Sequence, residues 1–309
     1  MNRREFIKTG LFMAVLGTVW GKFRLFASPV LANKNVKAGG VPDLVAVRNG
    51  TPGEMTKKAL AQLGGMKAFV KPGQHVVIKP NIGWDQTPES GADTNPEVVA
   101  TLVAEAKAAG AAKVTVFDYT CDKNWQSCYE RSGIKQAVEA AGGQMACGND
   151  KADYQEVKVP GAIKMPNPLV HKLILEADVF INVPVLKHHG GAQMTCALKN
   201  FMGLVWDRRF MHKNNLNQCI ADSGLIRRPD LNVVDAYRVM LSGGPTGRSP
   251  RTKVRTIKCL LASRDIVAID TASAALLGTP VNKIGYISLA QQHNLGTMDL
   301  KKLNIKRLS

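Results

Sequence analysis

His75-Val76-Val77-Ile78-Lys79-Pro80-Asn81, a helix-like run from Pro96 to Ala109, and Lys113-Val114-Thr115-Val116-Phe117-Asp118-Tyr119 together read as strand, helix, strand. The helix is marked at both ends: Thr94 or Asn95 can cap it, Pro96 suits its first turn and Gly110 its stop. Outward from this unit the alternation continues. Leu44 to Arg48 precedes a helix-like Met55 to Leu63, and Ile134 to Ala141 follows Tyr119. Such alternation predicts a layered α/β fold with a largely parallel sheet and flanking helices, built as one composite domain of one or two lobes.

Further along, Tyr154 to Pro168 reads as a hairpin or extended excursion, and Leu173 to Ala177 leads into Val179-Phe180-Ile181-Asn182-Val183-Pro184, an apolar run typical of a fully buried strand. A second alternating set is expected from Leu231 to Val234, Thr256 to Ala262, a helix from Ile266 to Leu277 and another from Asn282 to Gln292.

The first residues carry an address. Arg3-Arg4-Glu5-Phe6-Ile7-Lys8 ahead of the apolar run Leu11 to Trp20 resembles a twin-arginine export signal, which implies the twin-arginine translocation machinery as a partner and a periplasmic destination. The run is about half of what a membrane span requires, so no transmembrane span is expected in the mature chain. Cleavage is expected after Ala32, with Ala27 a weaker choice; an uncut signal would tether the protein to the membrane. Residues 33–42 read as a flexible lead-in. This route carries folded proteins, often with a cofactor already inserted, although the sequence names none.

The chain of 309 residues has a formal net charge of +17. Arg3, Arg4, Lys8, Lys22 and Arg24 against Glu5 put +4 of it in the signal, and Lys301, Lys302, Lys306 and Arg307 against Asp299 put +3 in the tail. Nucleic acid fits neither the export signal nor an aromatic content of 6%, since a nucleic-acid surface interleaves cations with stacking rings. No phosphate-loop or dinucleotide glycine motif follows a strand.

Ligands of open α/β sheets gather at the carboxyl ends of strands. There the sequence places Lys79-Pro80-Asn81, then Lys187-His188-His189-Gly190-Gly191, and soon after it Thr195-Cys196-Ala197-Leu198-Lys199-Asn200-Phe201-Met202-Gly203. Three lysines beside apolar runs need anionic partners, because burying an unpaired ammonium costs several kcal/mol. One expectation is internal pairing with Asp118, Asp235 and Asp270. The other is that Lys79, Asn81, Lys187, His188 or His189, Lys199 and Asn200 line a cleft for an anionic small molecule or cofactor. In that case Lys187, Lys199, Asp235 and Asp270 are the catalytic candidates, a desolvated lysine serving as base or Schiff-base former.

His188, His189 and His212 are weak metal candidates, and adjacent histidines on a strand point to opposite sides, so one of the first two faces the cleft. Cys121 and Cys128 are placed for a local disulfide in an oxidising compartment, with Cys147 an alternative partner. The Gly243 to Arg251 stretch reads equally as a lid over an anion or as a solvated loop.

Taken in order, Val77 to Asn81, Thr94 to Val98, Asn182 to His189, Ala197 to Gly203, Val234-Asp235-Ala236, Gly243 to Gly247 and Ala262 to Asp270 resemble the family known as domain of unknown function 362. The resemblance runs from Val45 to Gly296 and implies one α/β domain over residues 43–309, without assigning a reaction. The cysteine-rich ferredoxin-like segment of some relatives is missing from the matching sequence. A non-catalytic periplasmic binding protein, or a redox-associated accessory protein that holds a metal, is the alternative to an enzyme.

Overall fold

The computed structural model describes residues 40–309. The expected export signal, residues 1–32, and most of the expected lead-in lie outside the described residues. A ten-stranded sheet forms the frame. Its strands are β1 (Leu44–Arg48), β2 (His75–Pro80), β3 (Lys113–Val116), β4 (Gln144–Met145), β7 (Val179–Val183), β8 (Val185–His189), β9 (Gln193–Thr195), β10 (Leu231–Ser242), β11 (Lys253–Ser263) and β12 (Ile305–Leu308). They run in the order β12-β1-β11-β10-β7-β2-β3-β4, with β8 beside β10 and β9 beside β8. The pairs β7/β2, β2/β3, β3/β4, β10/β7, β10/β8 and β1/β12 are parallel. The fold is α/β and the sheet largely parallel.

Successive strand residues bury against opposite faces, as the two-residue period of a strand dictates. Val77, Phe180, Val234 and Leu261 join one core with the helices Leu216–Ser223, Ile266–Leu277 and Gly285–Gln292. Val76, Ile78, Val179, Ile181, Val233 and Leu260 join the other with Pro52–Gln62, Pro96–Ala108 and Ile134–Ala140. Helices thus cover both faces of the sheet. Thr51 and Glu54 close a capping box on the first helix, and Asn95, rather than Thr94, caps the helix at Pro96.

One expectation is corrected. β10 and β11 do not open a second alternating set; they pair antiparallel as a long hairpin. Only residues 243–252 separate them, fewer than the dozen or more a parallel crossover needs. The excursion after Tyr154 is a separate two-stranded ladder, β5 (Tyr154–Glu156) against β6 (Leu169–His171), which closes just past Pro168. Among the described residues no helix is long and apolar enough to cross a membrane.

Candidate functional site

The carboxyl end of β2, with β8, the end of β9, the turn that follows it and the loop after β3, surrounds a cavity of about 260 Å³. Among the described residues that line it, Lys79, Lys187, Lys199 and Arg208 are cationic and Asp118 is the one carboxylate. The lining therefore carries an excess of positive charge.

Each lysine meets its charge differently. Lys79, 1% exposed, stands in register with Asn182 on β7; its Nζ donates to Asn200 Oδ1 at 2.7 Å and lies 2.8 Å from Asp118 Oδ1. Burial pulls its pKa down and the Asp118 charge opposes that shift. Lys187, also 1% exposed, donates to Asn81 Oδ1 at 2.8 Å and to the Ala92 carbonyl. Burial pulls Lys187 down and pushes nearby Asp93 up, each charge opposing the other's shift.

Lys199 is the least compensated of the three. Its Nζ reaches only the Met202 thioether, at 3.3 Å, a weak acceptor. Burial, together with the like charges of Lys187, Arg208 and Lys79, lowers it to about 8.

Asn200 is the hub that sets this geometry. Its Nδ2 donates to the Lys79 carbonyl at 3.1 Å and to Asn182 Oδ1 at 2.8 Å, while Oδ1 accepts from Lys79. Asn182 Nδ2 in turn donates to Asn232 Oδ1 and the Ala197 carbonyl. The amide's donors and acceptor are therefore engaged, and Asn200 positions Lys79 rather than offering a free group to a ligand.

The structure also explains the spacing of Ala197 to Gly203. Asp270 accepts the Ala197 and Leu198 N–H groups at 2.7 and 3.1 Å and so anchors the turn that presents Lys199 and Asn200. Four residues later Gly203 passes the ion pair so closely that an added Cβ would lie 2.1 Å from Asp118 Oδ1 and 2.7 Å from Lys79 Nζ. Only glycine fits there.

Of the expected site residues, the cavity brings together Lys79, Asn81, Lys187, His189, Lys199, Asn200 and His212. It does not include His188, Asp235 or Asp270. The adjacent histidines diverge along β8: His189 lines the cavity, while His188 Nδ1 accepts the Gly244 N–H at 3.3 Å. Two backbone N–H groups, of Gly191 and Ala192, donate to His189 Nδ1 at 3.1 Å each, which leaves Nε2 to carry the proton of the neutral ring. Burial and the neighbouring cations hold His189 at about 2.

Pairing of the lysines with Asp235 and Asp270 is corrected as well. Asp235 accepts the Asn95 and Tyr237 N–H groups and Asp270 those of Ala197 and Leu198. Burial pushes both carboxyls up to about 6. Asp118 alone of the three expected acids pairs with a lysine.

All six cysteines are free thiols; Cys121 is exposed and Cys128 buried, so the expected local disulfide is not formed here. Among the described residues no group of three or more His, Cys, Asp or Glu side chains is arranged to hold a metal ion. In the Gly243 to Arg251 stretch, Pro245 lines the cavity, whereas Arg248 is engaged by Asp122 outside it.

Several lining residues are not among the expected site residues. Arg208 donates to the Tyr119 and Thr120 carbonyls at 2.9 and 2.6 Å and to Cys121 Sγ at 3.2 Å, and its guanidinium lies 3.6 Å from the Tyr119 ring centroid. Tyr119 stacks on Trp206, with centroids 5.1 Å apart. Thr195, opposite Lys187 in the β8/β9 register, has a buried Oγ1 without a hydrogen-bond partner. Arg208 follows a turn after the motif helix rather than a strand end, so strand-end logic passes over it.

Comparison with known proteins agrees with the ordered motifs. A thylakoid-associated protein of Synechocystis sp. is 29% identical over 253 residues, covering 77% of this chain and 73% of that protein. Two solved structures are more distant. Lactate racemase apoprotein from Thermoanaerobacterium thermosaccharolyticum has a TM-score of 0.45 at 12% identity over 69% of this chain, and a Thermotoga maritima protein has 0.46 at 12% over 79%. The chain spans 54% and 60% of those two proteins. The family model described as domain of unknown function (DUF362) matches residues 76–275, well over half of the sequence, and the chain belongs to that family.

Proposed function

We propose that this protein is an exported, periplasmic member of the family that binds a small anionic molecule in the cavity at the strand ends. The observation that carries the reading is the charge balance of the site, four lining cations against the Asp118 carboxylate and Asp93 behind Lys187, with Lys199 lacking a charged or carbonyl partner. An anion supplies the missing charge. Lys79 and Lys187 each keep one Nζ hydrogen beyond the two contacts described, and the Thr195 hydroxyl is unpartnered, so donors remain for it. Asn200, Asp270 and Gly203 hold the binding groups in place, and Tyr119 with Trp206 forms an aromatic wall beside Arg208.

Native mass spectrometry of protein purified from its own host at low ionic strength tests the binding, read alongside melting temperatures with added anions. The expected result is a bound small molecule, or anion-dependent stabilisation, that Lys187→Met and Lys199→Met weaken. Retention of the ligand by both variants would refute the site. So would a ligand-free protein that no anion stabilises. Export rests on the Arg3-Arg4 signal, and fusing residues 1–42 to a folded reporter tests it. Periplasmic reporter that disappears on Arg3→Lys with Arg4→Lys is expected; export that ignores the pair contradicts it.

A further inference from the structure

We propose that Lys199 is an imine-forming nucleophile and that the molecule held in the cavity is a small 2-oxo carboxylate. The proposal rests on the anion-binding reading above and adds the ligand's carbonyl group and a covalent step.

The three lysines of the cavity are not equivalent. Lys79 is committed to Asp118 and Asn200, and Lys187 to Asn81 and the Ala92 carbonyl. Losing the proton would forfeit those contacts. Lys199 forfeits only a thioether contact at 3.3 Å. It also relieves repulsion from the neighbouring cations, so it is the amine that becomes neutral at least cost. At about 8, roughly one Lys199 side chain in ten is a free amine at pH 7, some three-hundredfold more than for an ordinary lysine.

The remaining lining supplies what imine formation requires. Lys79, Lys187 and Arg208 provide charge for a carboxylate, which a carbonyl compound must carry to be held here. The partnerless Thr195 Oγ1 and the His189 Nε2–H are donors for the carbonyl oxygen. His212 also lines the cavity, its pKa lowered by burial and then by Lys199 and Arg208, so it is a neutral base for the Nζ proton.

The step balances without an oxidant or reductant. The Nζ lone pair attacks carbon 2, a C–N bond forms and the carbonyl π electrons move to oxygen, which is protonated to give a carbinolamine. The amine nitrogen gives up its two hydrogens, the C–O bond breaks, and the oxygen leaves as water carrying two hydrogens, so the count balances. The imine takes one proton from solvent and becomes a cation beside the bound carboxylate.

The test is borohydride trapping with pyruvate on the folded protein at pH 7.5, read by peptide mass spectrometry, with acetate as the anion that lacks a ketone. The expected result is a reduced pyruvyl adduct on Lys199, suppressed by excess acetate and lost in Lys199→Arg, whose fold is checked by circular dichroism. An adduct spread evenly over surface lysines, or one that persists elsewhere in the cavity in Lys199→Arg, overturns the proposal. Stabilisation by pyruvate and acetate without any adduct overturns the imine but leaves anion binding standing. Neither adduct nor stabilisation overturns both.

Discussion

Lys199→Met should make the empty protein more stable. The ammonium of Lys199 shares its cavity with Lys79, Lys187 and Arg208 and touches only a thioether, whereas methionine has a similar length and no charge to desolvate. Lowering a lysine from 10.5 to about 8 disfavours its charged form by about 3 kcal/mol. The side chain keeps partial contact with solvent in the cavity, and screening reduces this to about 1–2 kcal/mol. For a domain of this size that is a rise in melting temperature of roughly 2–8 °C at pH 7. The pH dependence has a defined sign. The unfolded chain holds the Lys199 proton up to its ordinary value, and the folded chain releases it from about 8, so the unfolded state binds more protons between those limits. Wild-type stability therefore gains as pH rises through that window. The variant's advantage is full below pH 8 and fades toward pH 10.5. Urea melts of both proteins at pH 7 and at pH 9.5, followed by circular dichroism, measure the difference while cancelling groups common to both. A variant less stable at pH 7, or a gap that does not change with pH, would refute the electrostatic reading of the cavity.

Asp118→Asn has the opposite effect, leaving the 1%-exposed Lys79 ammonium without its carboxylate; a loss of about 3–5 kcal/mol is expected from chemical denaturation. Gly203→Ala pushes a methyl into that same pair and should cost about 1–3 kcal/mol, measured by the same denaturation, with reduced anion affinity because Lys79 must shift. Cys121 is exposed on the cavity, whereas Cys128, Cys196, Cys219 and Cys259 are buried and burial pushes the half-buried Cys147 thiol up. Iodoacetamide should label Cys121 first in the native protein, and a bound anion should slow it. Equal labelling of Cys147, or no protection by anion, would count against the cavity geometry.

Much of the frame is legible in the residues because burial on two faces leaves a strong pattern. The β1 strand from Leu44 to Arg48 and the helix Ile266–Leu277 fall at their expected bounds. The hairpin β10/β11 does not, since local apolar runs say where strands lie and only the short turn between them says how they pair. At the site, the strand-end rule brings Lys79, Lys187 and Lys199 into one cavity, but it cannot say what compensates them. Asp235 and Asp270 look like partners by composition, yet both are occupied by backbone N–H groups that need an acceptor more locally. Asn200 looks like a ligand and is a brace. Arg208 reaches the cavity through tertiary packing, and Thr195 through its pairing opposite Lys187.

Capture of a small anion through an undercompensated lysine can be measured by isothermal titration calorimetry with sulfate, acetate and pyruvate. Each titration is run at pH 8 in two buffers of different ionisation enthalpy. An anion that binds beside Lys199 returns its pKa toward the ordinary value, so binding should take up about half a proton at pH 8 and none at pH 6. Binding without proton uptake at pH 8, or uptake that persists in Lys199→Met, would contradict the account.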